Sequence, residues 1–299
     1  MKARTILKLT ARDHLLSVIT VILGLQTGAL SATTEAELSP IPPGSSAFSG
    51  GPGQLVPGCR FAEGKGMRVM VKATGILRSA DGFNWQESHK ANAPLYNITF
   101  GDGLFVAVGH GGTILVSQDG AVWANRRSGT PSSLHDIAYA KGSFIAVGNE
   151  GVIATSTDGM SWHIQNSGTD ERLHGVTYGN GLFVAVGYHG TILTSKDGVN
   201  WKTRESQIEE RLQGVQYGNG TFVAISWHGH VLTSKTGITW KSQAGLGADL
   251  AQLSYKNGAF VSCSSQGGVW VSANGKLWSR ATTPEQIVPA SAAVAKAGW

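Results

Sequence analysis

Residues 173–211 read LHGVTYGNGLFVAVGYHGTILTSKDGVNWKTRESQIEER, and this stretch decides the fold because it recurs. Three short β-rich runs (LHGVTY, LFVAVG, TILTS) and a fourth that starts at the tryptophan are separated by Gly-containing turns, a strand-and-hairpin pattern and not a helical one. The tryptophan stands at Trp85, Trp123, Trp162, Trp201, Trp240 and Trp278, at spacings of 38, 39, 39, 39 and 38 residues. Four strands in about 39 residues make one propeller blade. The expectation is an all-β, six-bladed β-propeller with four antiparallel strands per blade. A seventh blade assembled from both termini is left open.

The turns carry residues with a physical reason to be there. Gly179-Asn180-Gly181, Gly218-Asn219-Gly220 and Lys256-Asn257-Gly258 contain the Asn-Gly pair that supplies the positive φ angles of a tight hairpin. Between the third and fourth strands lies Ser195-Lys196-Asp197-Gly198, followed by Trp201. An Asp in such a turn accepts backbone N–H bonds, and the tryptophan is expected to pack between neighbouring blades.

Outward from this unit the repeats are phased as 57–94, 95–133, 134–172, 173–211, 212–249 and 250–285, the first copy being degenerate as terminal repeats often are. Residues 33–56 are a Pro/Gly/Ser-rich lead-in, and the tail 286–299 is a candidate ring-closing strand. Residues 1–32 have the form of a secretory signal peptide: Lys2, Arg4, Lys8 and Arg12, an apolar core from Leu15 to Leu25, then Ala29-Leu30-Ser31-Ala32. A core of eleven residues is too short to span a bilayer. Removing this segment takes away four positive charges and one negative, so the net charge falls from +5 to +2. The basic character therefore belongs largely to the leader and does not argue for nucleic acid. A periplasmic or secreted, monomeric protein without stable membrane insertion is expected. Ring closure makes the first and last blades neighbours, so Cys59 and Cys263 are a candidate disulfide in an oxidising compartment.

The motif Ser-x-Asp-Gly followed by Trp, at Ser79, Ser117, Ser156 and Ser195 and decaying to Ser234-Lys235-Thr236-Gly237 and Ser272-Ala273-Asn274-Gly275, resembles the Asp box of BNR (bacterial neuraminidase) repeats. Together with the preceding VAVGxxGTIL it is most similar to the photosystem II assembly and stability factor family and its non-photosynthetic bacterial relatives. The resemblance covers about three quarters of the chain, and it departs from the sialidase box, which has one more residue between Asp and Gly. It implies a sialidase-like propeller in which Asp81, Asp119, Asp158 and Asp197 are structural, and a protein that binds partners and is not an enzyme. The Phe-Arg-Ile-Pro signature of sialidases is absent.

Propeller topology gathers the variable residues on one face. The turns between strands two and three carry His110, Asn149, Glu150, Tyr188, His189, Trp227 and His228, and the innermost strand opens with Tyr96, His135, His174 and Gln213. Tyr96, His110, His135, Glu150, His174, Tyr188, His189, Trp227 and His228 are the candidate binding residues, for a protein or peptide first and a glycan second. The runner-up is a carbohydrate-active glycosidase or lyase at the channel mouth, with Glu150 as its acid or base. Imidazoles from different blades could also converge on a metal, but no local ligand spacing supports this, and neither metal nor cofactor is assigned. Arg126-Arg127, Asp170-Glu171-Arg172 and Glu209-Glu210-Arg211 read as a solvated rim. No P-loop, nucleophile elbow or Cys-x-x-Cys occurs.

Overall fold

The computed structural model describes residues 61–82, 84–243, 245–264 and 268–281, all within one compact unit, Gly58–Trp299. The leader, the lead-in, the tail and Cys59, and with it the disulfide, lie outside the described residues. Cys263 is buried in the second strand of blade six, Ala259–Ser264.

Among the described residues there are six separate antiparallel sheets, each made of four strands consecutive in sequence. Blade four shows the pattern: Leu173–Gly179, Leu182–Gly187, Ile192–Ser195 and Lys202–Arg204. First strands of successive blades touch one another, which places them around the axis, while the fourth strand is the most exposed and forms the perimeter. The chain is a six-bladed β-propeller.

Second strands of blades two to six are buried at nearly every position because each sheet is covered on both faces by its neighbours. Alternate side chains of Ser143–Gly148 go opposite ways: Phe144 and Ala146 pack with Val106 and Val108 of blade two, Ile145 and Val147 with Phe183 and Ala185 of blade four. The tryptophans join these inter-blade layers, Trp162 between blades two and three and Trp240 between blades four and five. Each buried Val, Ile, Leu or Phe stabilises the stack by about 1.5–3 kcal/mol.

The third turn closes by side-chain bonds. Ser195 Oγ donates to Asp197 Oδ1 at 2.8 Å, the N–H groups of Val199 and Asn200 donate to the same oxygen at 2.9 and 2.8 Å, and Trp201 Nε1 donates to Gly198 O at 2.9 Å. In blade three the backbone donors Ser161 and Met160 hold Asp158 down at about 2. In the decayed copies Thr236 Oγ1 and Asn274 Oδ1 accept the corresponding amides. The turn needs an acceptor at this position, not a charge.

Four of the six joints share one packing device. The glycine ending the first strand, Gly64, Gly101, Gly179 or Gly218, lies against an aromatic ring of the next blade; at Gly179 an added Cβ would sit 2.0 Å from the Tyr217 ring, and at Gly64 2.4 Å from Phe100. In blade three the position is Ala140, which packs on the same cluster as Tyr178 of blade four. In blade six that position is Lys256, and the aromatic position of blade one is Glu63. The ring closes there through Lys256 Nζ, 3.4 Å from Glu63 Oε1 and 4.5 Å from the Phe61 ring centre. An ion pair this exposed contributes little, so Lys256→Ala should lower stability in urea by less than about 1 kcal/mol. A loss of several kcal/mol would show that closure depends on the pair.

Candidate functional site

Each innermost strand of blades two to six begins with an irregularity. Pairing skips the second residue, as between Leu95 and Asn97 or Leu173 and Gly175, so Tyr96, His135, His174, Gln213 and Ala251 are bulged. A bulged residue leaves the strict alternation of the strand and its side chain is re-aimed. Here the consequence is a row of rings: Tyr96 stacks on His135 at 5.2 Å, His135 meets His174 at a tilt at 5.0 Å, and His174 meets Tyr188 edge-on at 5.2 Å.

Tyr188 opens a short 3₁₀ turn, Tyr188–Gly190, whose backbone is clamped by Tyr188 N donating to Arg172 O (2.9 Å) and Gly190 N to Glu210 O (2.8 Å). From this ring the row continues with alternating cations. Arg172 lies 5.1 Å from the Tyr188 centre, Arg211 5.5 Å from Tyr188 on one side and 4.4 Å from Trp227 on the other, and both guanidinium groups approach the Tyr188 hydroxyl, at 3.4 and 3.2 Å. The result is a ladder, Arg172–Tyr188–Arg211–Trp227, running from the end of repeat three into blade five.

Among the described residues neither guanidinium has a carboxylate within ion-pair distance. The neighbouring acids are engaged elsewhere: Glu171 with His189 Nδ1 at 2.9 Å, Glu210 with Ser226 Oγ at 2.6 Å and with His230 and His228 at 3.0 and 3.7 Å. Burial would raise the Glu210 carboxyl, but the Ser226 hydroxyl and the two imidazoles hold it below its usual range.

Of the nine residues expected from the sequence, Tyr96, His135, His174, Tyr188 and Trp227 belong to this row. His110, Glu150, His189 and His228 lie outside it and are tied locally: His110 Nδ1 to Ser133 Oγ at 3.1 Å, Glu150 to the Ser132 hydroxyl at 2.8 Å, the other two to Glu171 and Glu210. Among the described residues no three His, Cys, Asp or Glu side chains come together as a metal-binding group. Arg172 and Arg211, read from sequence as rim, are central. Their signal was a Glu-Arg pair that recurs one blade apart, at 171–172 and 210–211, each arginine 16 residues before the aromatic it covers.

Burial sets the protonation of the row. His135, with Nε2 2.7 Å from Asn149 Oδ1, is held below the usual imidazole value chiefly by burial, and His174 is pushed down to about 2 by burial and then by His135, Arg211 and Arg172. His174 Nε2 is buried without a hydrogen-bond partner among the described residues, which suits a neutral ring.

Below the row, on the channel wall, Asp136 ties three blades together. It accepts from Asn97 Nδ2 of blade two, Ile137 N of its own blade (2.8 Å) and Val176 N of blade four (2.7 Å). Burial raises its carboxyl to about 7 against these three donors. A folded value above the unfolded 3.8 means that its contribution to stability is complete below about pH 4 and is lost as pH rises towards 7. His174 works the other way: its contribution is whole above its unfolded 6.5 and is lost on acidification. Urea unfolding between pH 4 and 8 should accordingly show Asp136→Asn losing stability on acidification more steeply than wild type. Parallel curves would refute the assignment.

No protein-family model matches the chain, and no curated protein matches it. Solved structures do. A structure described as YCF48 bound to D1 peptide is similar over 75% of this chain and 81% of its own, at 16% identity and a TM-score of 0.58. YCF48 from Cyanidioschyzon merolae is similar over 73% and 81%, at 16% identity and 0.57. A catalytically inactive virginiamycin B lyase from Staphylococcus aureus with quinupristin is similar over 68% and 75%, at 14% identity and 0.60. At these identities the likeness is one of fold: the chain is a β-propeller similar to YCF48.

Proposed function

We propose that this chain is a secreted or periplasmic, non-catalytic β-propeller that binds a protein or peptide through the face bearing the strand two to three turns. The observation that carries the reading is the Arg172–Tyr188–Arg211–Trp227 ladder, in which two guanidinium groups, without a carboxylate partner among the described residues, lie over aromatic rings. Half-buried aromatic and arginine side chains of this kind supply most of the affinity in protein interfaces. The YCF48 structure with a bound peptide is in keeping with this use of the fold, and the form of residues 1–32 supports the compartment.

The test is affinity capture from an envelope extract followed by titration of the captured partner. Trp227→Ala should weaken binding about 5- to 150-fold, the equivalent of about 1–3 kcal/mol, with an unchanged melting temperature. Gln118→Ala, in the Asp-box turn of blade two on the opposite face, should leave it unaltered. Equal affinities for the two variants would mean that the face is wrong. The runner-up reading, a carbohydrate-binding or carbohydrate-active propeller, draws on the lyase neighbour and the aromatic row. It predicts turnover of a glycan or related substrate, lost on substitution of Glu150.

A further inference from the structure

The opposite face, which bears the Asp-box hairpins, carries apolar side chains at its tips. Among the described residues six large hydrophobic side chains are exposed, and five of them, Val122, Met160, Val199, Ile238 and Leu277, sit at the tips of the Asp-box hairpins, one per blade from blade two to blade six. Leu277 is 79% exposed, and Val199 and Ile238 are 47% and 45% exposed. The turn does not require this, because its closing bonds come from the box residue and the backbone.

Charge divides the same hairpins into two halves. From the box serine to the end of the fourth strand, segments 79–90, 117–126 and 156–165 of blades one to three carry a net charge of −2, with imidazoles neutral. The corresponding segments 195–204, 234–243 and 272–281 of blades four to six carry +6, with Asp197 their one carboxylate. Part of the difference arises because Thr236 and Asn274 replace the box aspartate, keeping its hydrogen bonds and dropping its charge. Lys202 of blade four, Lys241 of blade five, and Lys276 and Arg280 of blade six are exposed alongside the tips. Between blades four and five a cavity of about 580 Å³ opens, lined by Lys196, Lys202 and Arg204, by the Asp197 carboxylate that the box turn already engages, and by Thr236 and Ile238.

We propose that the edge formed by blades four to six docks on an anionic lipid surface, the cavity taking a phospholipid headgroup while Val199, Ile238 and Leu277 enter the headgroup–acyl boundary. Basic side chains alone would suit any polyanion, but apolar tips beside them gain free energy only where they leave water. The attraction of lysine and arginine to anionic lipid acts within a Debye length of the surface, and the hairpin tips are the groups that come that close. Docking by this edge leaves the Tyr188–Trp227 face turned away from the membrane and is independent of the peptide-binding reading.

The full chain would be sedimented with vesicles of phosphatidylglycerol mixed equally with phosphatidylcholine, and with vesicles of phosphatidylcholine alone. The quantity read is the excess on anionic vesicles, compared between wild type and variants, because the leader's apolar segment 15–25 and its basic Lys2, Arg4, Lys8 and Arg12 contribute equally to all of them. A clear excess is expected, falling with salt. Lys196→Glu/Lys202→Glu should reduce it about tenfold or more, and Ile238→Ser/Leu277→Ser several-fold, both with wild-type melting curves. No excess for wild type would overturn the proposal, as would an excess unchanged in the charge-reversed protein. It would equally fail if the serine variant partitioned like wild type, since that result describes a polyanion site and not a lipid-docking edge. Lys241→Glu/Lys276→Glu provides a second charge test should the first variant fold poorly.

Discussion

Replacing Trp240 with alanine should lower the free energy of unfolding by about 3–5 kcal/mol. The indole is 3% exposed and packs in one cluster with Val184 and Val186 of blade four and Phe222 and Ala224 of its own blade, the Phe222 ring centre 6.3 Å away. Its Nε1 also donates to Gly237 O at 3.0 Å, so the substitution opens an inter-blade cavity and loosens the box turn together. Trp201, in the equivalent place but only half-buried, should cost less when truncated. A domain commands about 5–15 kcal/mol in total, so Trp240→Ala is expected to shift the urea midpoint by a large fraction of its value. Equal midpoints for Trp240→Ala and wild type would contradict the inter-blade packing.

Gly190→Ala should be comparably damaging, by about 3 kcal/mol or more, and should also impair partner binding. Gly190 has φ +64°, and a Cβ there would lie 1.9 Å from the carbonyl oxygen of Ile208. Neither strain can be relieved by rotating a side chain, because the obstacle is backbone. The corresponding glycines, Gly112, Gly151 and Gly229, share the positive φ and the close approach to a carbonyl oxygen. Since Gly190 N is bonded to Glu210 O, next to Arg211, any shift at this glycine moves a rung of the ladder. Melting temperature and partner affinity measured on the same preparation would check both effects. A variant with wild-type stability would show that the turn is looser than its geometry implies.

The ladder itself shows how far residues alone carry a reading of the site. Tyr188 and Trp227 were legible because they break the repeat at hairpin tips, where a scaffold has no use for a large ring. Arg172 and Arg211 were not, because a Glu-Arg pair ahead of a strand has the composition of any solvated loop. Only the meeting of that loop with the next turn reveals that glutamate takes the histidine and arginine the aromatic. Asp136 was invisible for a similar reason: its three donors come from residues 97, 137 and 176, which lie far apart in sequence and adjoin only around the axis. The bulges that aim Tyr96, His135 and His174 leave no mark in a run of alternating residues either.

The 39-residue period, the turn glycines and the apolar second strands determined a propeller of six similar blades, because each of these is a local requirement repeated along the chain. Tertiary structure decided what differs from blade to blade: which rings meet, which guanidinium groups lack a carboxylate among the described residues, and that Lys256 meets Glu63 where four other joints place glycine against an aromatic ring. Those outcomes depend on pairs of residues in different blades. Local sequence specifies the blade and its hairpins, whereas contacts between blades exist only once the ring has closed.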